Sequence, residues 1–132
     1  HIKNFGLERA ASISPAAPAG NLGLPYTFHQ DAPVIRPDML ETVWCAVNRR
    51  TRDGVLLGGS EQVTVLEALR AVTIRAAYQY FEEKEKGSLE PGKQADLVIL
   101  DKNPLETAPS CLRKIQVLET VKAGETVYRR EK

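Results

Sequence analysis

Residues 27–34, "TFHQDAPV", hold the side chains best suited to chemistry: His29 and Asp31 stand two apart, just ahead of Pro33. An imidazole and a carboxylate at that spacing suit two tasks. Both types ligate divalent cations, and both carry protons to or from a reacting group when their surroundings tune them. The same pair also suits the polar end of a strand, with Asp31 forming an Asx-turn ahead of the proline. On a strand, positions 29 and 31 face one side, which would set His29 below Asp31. The elements around the pair must decide.

Residues 1–30 are rich in alanine, proline, glycine and serine, and Pro15, Pro18 and Pro25 exclude a long helix there. Residues 9–14 are predicted as a short strand, and Asn21-Leu22-Gly23 as a helix end with glycine left-handed. Residues 26–29 alternate bulky and polar side chains, which predicts a strand closed by Pro33. A helix is predicted over 37–50, with Pro37, Asp38 and Glu41 in its first turn. Its buried stripe is Leu40, Val43, Trp44 and Val47. Arg49, Arg50 and Arg52 then form a solvated or ion-paired helix end.

Thr64 and Glu67 make a capping-box pattern for a further helical region. Leu66, Leu69, Thr73, Ala76, Ala77 and Tyr80 line one face of it; Thr73 either lies inside one rod or caps a second helix. Residues 81–86 are a solvated run of mixed charge that frays into Gly87. Residues 95–101 are apolar on both sides, which predicts a strand covered on both faces. Residues 115–118 begin another strand, and "ETVKAGETVYR" is a hairpin turning at Ala123-Gly124. A single strand followed by an amphipathic helix is one unit of several, so the chain reads as the end of a larger fold.

Composition narrows the partners. With 42% apolar and 27% charged residues and a net charge of +1, the chain is a globular domain with no bias towards nucleic acid or an anionic membrane. No apolar run approaches the roughly 18 residues needed to span a bilayer, and no signal peptide is visible. Cys45 and Cys111 lie far apart outside any CxxC pattern, so a reducing, cytoplasmic compartment is the simpler expectation and a single disulfide the alternative.

Three stretches carry a resemblance. "GSLEPGKQADLVILDKNPL" (87–105) resembles the segment that closes metal-dependent hydrolases of the amidohydrolase superfamily, with its Gly-Lys-x-Ala-Asp signature. "EALRAVTIRAAYQYFEE" resembles the helical pair that precedes it. "HQDAPVIRPDMLETVWCAVNRRT" resembles the region of the eighth barrel strand in amidohydrolase family 3, the branch that includes N-substituted formamide deformylases and proteins labelled exoenzyme regulatory protein. The likeness runs from Phe5 to Tyr128. It implies an α/β fragment of a larger fold: the last βα unit or units of a (β/α)8 metallo-hydrolase barrel over 1–86. A helical pair and the C-terminal strands of a β-sandwich follow, the sandwich part over 87–132. Gly92-Lys93 would be a turn, with Asp96 tying its own loop.

The resemblance also implies roles. Asp31 matches the carboxylate at the end of the eighth strand, which would ligate or neighbour a divalent metal, usually zinc, and carry a proton from water to the leaving nitrogen. His29 would pack or support beneath it, because the family's metal-binding histidines lie on earlier strands. Arg49 matches the family's Ala-Val-x-Arg pattern and would form an ion pair fixing helix to loop. A catalytic zinc wants three protein ligands and a water, whereas this chain has two histidines and no His-x-His. The expectation is a C-terminal fragment, metal-free and inactive alone, of an enzyme that hydrolyses non-peptide C–N bonds in a small amide. The alternative is a non-catalytic regulatory or oligomerisation module. A fragment would expose apolar surface or associate with copies of itself.

Overall fold

Five short helices precede a three-stranded antiparallel sheet in the computed structural model, which describes residues 1–131. The helices are α1 (Ile2–Ala11), α2 (Ala16–Asn21), α3 (Met39–Asn48), α4 (Val65–Val72) and α5 (Ile74–Gln79). The strands are β1 (Leu97–Leu100), β2 (Val117–Lys122) and β3 (Glu125–Arg129), in that spatial order. This is an α/β chain with its helices and strands segregated along the sequence.

Helix α3 organises the core. The Asp38 carboxylate accepts from the backbone N–H groups of Leu40 and Glu41 at 3.0 and 3.1 Å, so the helix starts at Met39 and Pro37 lies outside it rather than in its first turn. Arg49, left-handed at φ 51°, ends it. Val43, Trp44 and Val47 are buried as the periodicity predicts, against Ala68 of α4 and against Leu112 and Ile115. Leu112 belongs to a 3₁₀ segment, Pro109–Lys114. Trp44 Nε1 donates to the Ser110 carbonyl at 3.2 Å, Asn48 Nδ2 donates to the Pro109 carbonyl at 2.9 Å, and the Arg113 guanidinium stacks 4.1 Å over the Trp44 ring. Burial and polar ties act together at this seam.

Only half of the capping box forms. Thr64 Oγ1 accepts from the Glu67 N–H at 3.2 Å, but the Glu67 carboxylate turns away to Arg70, at 2.8 Å, and Arg75. Thr73, at φ −125° and ψ −97°, separates α4 from α5, so the helical pair is the correct alternative. The predicted face is right only in part: Ala77 is buried and Leu69 packs against the core, but Ala68 and Ala71 are buried as well, while Leu66 and Tyr80 are exposed. Alanines let a helix backbone approach its neighbour closely, and these two bulky residues are left outside. Gly87 makes a similar approach, since a Cβ there would sit 2.8 Å from Ala77 Cβ and the residue holds φ +94°.

Two strand expectations fail for one reason. Residues 9–14 run from the end of α1 through a turn, with Ala10 fully buried, and residues 26–29 are extended without a ladder partner. An unpaired strand leaves its backbone groups without bonds, and "LERAA" favours helix locally. The hairpin is as expected: Ala123 and Gly124 hold φ 51° and 84°, the signs a type I′ turn requires. The Asp96 N–H ties its own loop, donating to the Gln94 carbonyl at 2.8 Å, and its Oδ1 reaches further, accepting from the Ala123 N–H at 2.8 Å, while the Gly124 N–H donates to the Ala95 carbonyl. β1 is not covered on both faces, because the sheet is a single layer here and Val98 and Ile99 are 53% and 45% exposed. Apolar surface of the sheet is therefore open to solvent. Among the described residues no helix is long and apolar enough to cross a membrane.

Truncating Leu112 to alanine removes a fully buried side chain from the α3 seam, and should lower unfolding free energy by about 3 kcal/mol, read as a shift in urea midpoint at unchanged slope. Hydrogen bonds from Arg75 and then Arg70 hold the Glu67 carboxyl below its ordinary value of 4.5. A depressed carboxyl stabilises the fold above that value, and the stability is lost as pH falls through the folded one. The melting-temperature gap between the natural chain and Glu67→Gln should narrow as the medium is acidified below pH 4.5.

Candidate functional site

The loop between Tyr26 and α3 is held by the residue between His29 and Asp31. The Gln30 carboxamide pairs with the backbone of Asp38: Oε1 accepts the Asp38 N–H at 2.6 Å, and Nε2 donates to the Asp38 carbonyl. The same Nε2 reaches Thr42 Oγ1 at 2.5 Å, and Thr42 is 8% exposed. Gln30 thus joins the loop to the first turn of α3 through three hydrogen bonds. Sequence reasoning passed over it, although a carboxamide eight residues before a helix cap has the donor and acceptor to do this.

Asp31 follows directly, exposed and left-handed at φ 54°. Its backbone N–H donates to His29 Nδ1 at 3.1 Å, and its carbonyl accepts from the Val34 N–H at 2.8 Å. The Ala32–Pro33 peptide is cis. An Asx-turn would need an N–H on residue 33, and proline has none. The turn is closed by the main chain, and among the described residues the Asp31 carboxylate has no hydrogen-bonding or ionic partner.

His29 does not lie beneath Asp31 on a strand face. It is exposed, and its Nδ1 acts as an acceptor, so the neutral ring carries its proton on Nε2. The support it gives is to the backbone of Asp31. Arg49 makes no ion pair among the described residues; it donates to the carbonyls of Leu57 at 3.0 Å and of Ile13 at 2.7 Å. It does fix helix to loop, but through carbonyls, and far from Asp31 in the chain.

No three His, Cys, Asp or Glu side chains come together among the described residues. Asp31 offers one carboxylate and His29 a protonated Nε2, which does not make the ligand set of a divalent metal. Both cysteines are free thiols. Two shallow clefts of about 300 and 310 Å³ flank Tyr26, and Asp31 lines neither. What the geometry provides is a solvent-facing carboxylate on a short loop anchored to a helix.

Comparison with known proteins gives that loop a context. The model of the amidohydrolase family matches residues 2–128. The chain is 39% identical over 108 residues to the N-substituted formamide deformylase of Arthrobacter pascens, covering 82% of this chain and 20% of that protein. It is 31% identical over 101 residues to the putative amidohydrolase YtcJ of Bacillus subtilis, covering 74% of this chain and 19% of that protein. The chain therefore spans about a fifth of the length of the curated relatives it matches. A crystal structure of an uncharacterized protein superposes with a TM-score of 0.58 at 27% identity, over 84% of this chain and 25% of that one. The match covers the helical region, the Asp31 loop and the sheet alike, and this chain belongs to the amidohydrolase family.

Proposed function

We propose that these residues form the closing part of a hydrolase acting on non-peptide C–N bonds (amides, formamides or N-acyl groups), with Asp31 as its proton-transferring carboxylate. The observation that carries this reading is the exposed, unpartnered Asp31 side chain on a loop fixed to α3. The likeness to an N-substituted formamide deformylase supports the bond type. In the complete fold Asp31 would stand at the C-terminal mouth of a (β/α)8 barrel, where barrel enzymes set their reacting groups. Residues 1–86 would belong to that barrel and 87–132 to the adjoining β-sandwich. Two free thiols fit a reducing, cytoplasmic setting.

The chemistry assigned to this chain is proton transfer. Water adds its oxygen to the carbonyl carbon as Asp31 takes one of its protons. The C–N bond then breaks, the nitrogen leaves with the proton that Asp31 returns, and the acyl part departs as the carboxylic acid. The aspartate ends as it began. His29 and Gln30 contribute through the backbone around Asp31. A divalent metal, zinc in the first instance, would polarise the carbonyl when bound, but the donors of this chain do not fit one by themselves. Its ligands, apart from Asp31, would have to come from other residues.

The test uses the complete protein. Turnover of N-substituted formamides and N-acyl amines should fall about 10²- to 10⁴-fold in Asp31→Asn at unchanged folding, and elemental analysis should find bound divalent metal. A correctly folded complete protein that holds no metal and hydrolyses none of these compounds would favour the regulatory or oligomerisation module instead.

A further inference from the structure

The family resemblance points to Asp31 and passes over its neighbour. Yet the position of Asp31 in space is set largely by Gln30. The loop from His29 to Arg36 is exposed apart from Gln30, which is partly covered, so no packed side chain holds it in place. Its hydrogen bonds to α3 are those of Gln30 to Asp38 and Thr42. Those two residues are themselves fixed. The Asp38 carboxylate is committed to capping α3, and Thr42 Oγ1 also donates to the Asp38 carbonyl at 3.2 Å. One turn further along, Val43 and Trp44 enter the core. A continuous set of bonds thus runs from the buried stripe of α3 to the residue next to Asp31.

We propose that Gln30 is the positioning residue of the hydrolytic carboxylate: it transmits the rigidity of α3 to Asp31 without touching substrate. This rests on the reading of Asp31 given above. A proton acceptor must lie within hydrogen-bond reach of the water it activates, and misplacement by about 1 Å can cost about 10²-fold in rate. Without Gln30 the carboxylate keeps its chemistry and loses its address. The loop's other bonds, His29 Nδ1 with the Asp31 N–H and Val34 N–H with the Asp31 carbonyl, are internal and cannot orient it against the helix.

Gln30→Ala in the complete enzyme should lower kcat by about 10- to 100-fold while KM stays within about twofold, because the interaction removed acts on the reacting geometry and not on uniform binding. Gln30→Glu keeps the length but sets a carboxylate oxygen against the Asp38 carbonyl, and should lose a similar factor. Thr42→Val removes one anchor and should lose less, and adding it to Gln30→Ala should cost little more, since both act through one set of bonds. Asp31→Asn is measured alongside. If it abolishes turnover while Gln30→Ala, folded, keeps kcat within about twofold, the positioning role is wrong and the hydrolase reading stands. If Asp31→Asn turns over normally, Asp31 is not the proton-transferring carboxylate and the positioning role of Gln30 falls with it. Should Gln30→Ala fail to fold, Thr42→Val decides, and unchanged kcat there overturns the proposal.

Discussion

Asp38 commits every polar group it has to one junction. Its carboxylate closes the first turn of α3, its N–H meets Gln30 Oε1, and its carbonyl receives both Gln30 Nε2 and Thr42 Oγ1. A helix N-terminus leaves backbone N–H groups without internal partners, and a loop of eight exposed or part-exposed residues leaves more. Here each supplies the other. The helix can begin because Asp38 is held, and the loop can be ordered because the helix has begun. Downstream, Val43, Trp44 and Val47 pack on Leu112 and Ile115, so the same helix also binds the sheet-bearing half of the chain to the helical half.

What was legible in the sequence follows from how local each signal is. The α3 stripe, the N-cap at Thr64 and the Ala123-Gly124 turn depend on neighbours within four residues, and all three stand as read. The errors lie where a distant surface decides. Residues 26–29 have the pattern of a strand, but a pattern makes no ladder without a partner. The face of α4 was assigned to Leu66 and Leu69, whereas Leu66 is exposed and Ala68 is the residue buried against Val43, Trp44 and Val47. Arg49 was expected, from its match to the family's Ala-Val-x-Arg pattern, to form an ion pair; the acceptors it meets are carbonyls. Asp31 was found through family resemblance. Gln30 could have been found from chemistry alone, had the question been which side chain could hold the loop.

The sheet shows the same dependence from the other side. β2 pairs with both neighbours, so its backbone is satisfied within this chain, yet Val98 and Ile99 of β1 and Val127 of β3 remain exposed. Hydrogen bonding and burial are separate requirements for a strand, and here only the first is met. A stretch such as "LVIL" takes its composition from the second. The residues therefore record a cover that these 131 described positions do not provide, whether it comes from other residues of a complete protein or from another molecule.

The same logic distinguishes Asp31 from an ordinary turn aspartate. Aspartate is common in turns because its carboxylate can accept the N–H two residues on, and left-handed backbone is tolerable for it. That use is closed at this position, since residue 33 is proline. The turn is instead held by the Asp31 backbone, by His29 and by Gln30, all of them groups other than the carboxylate. An asparagine, which tolerates the same left-handed backbone, would serve the turn equally well. The carboxylate is thus surplus to local structure, and it stands on a loop that local structure takes trouble to hold still. Fixed backbone and uncommitted charge are the two conditions a proton acceptor needs before any substrate arrives. That combination, more than exposure alone, supports the proposal that Asp31 carries the proton and that the residue before it places the carboxylate.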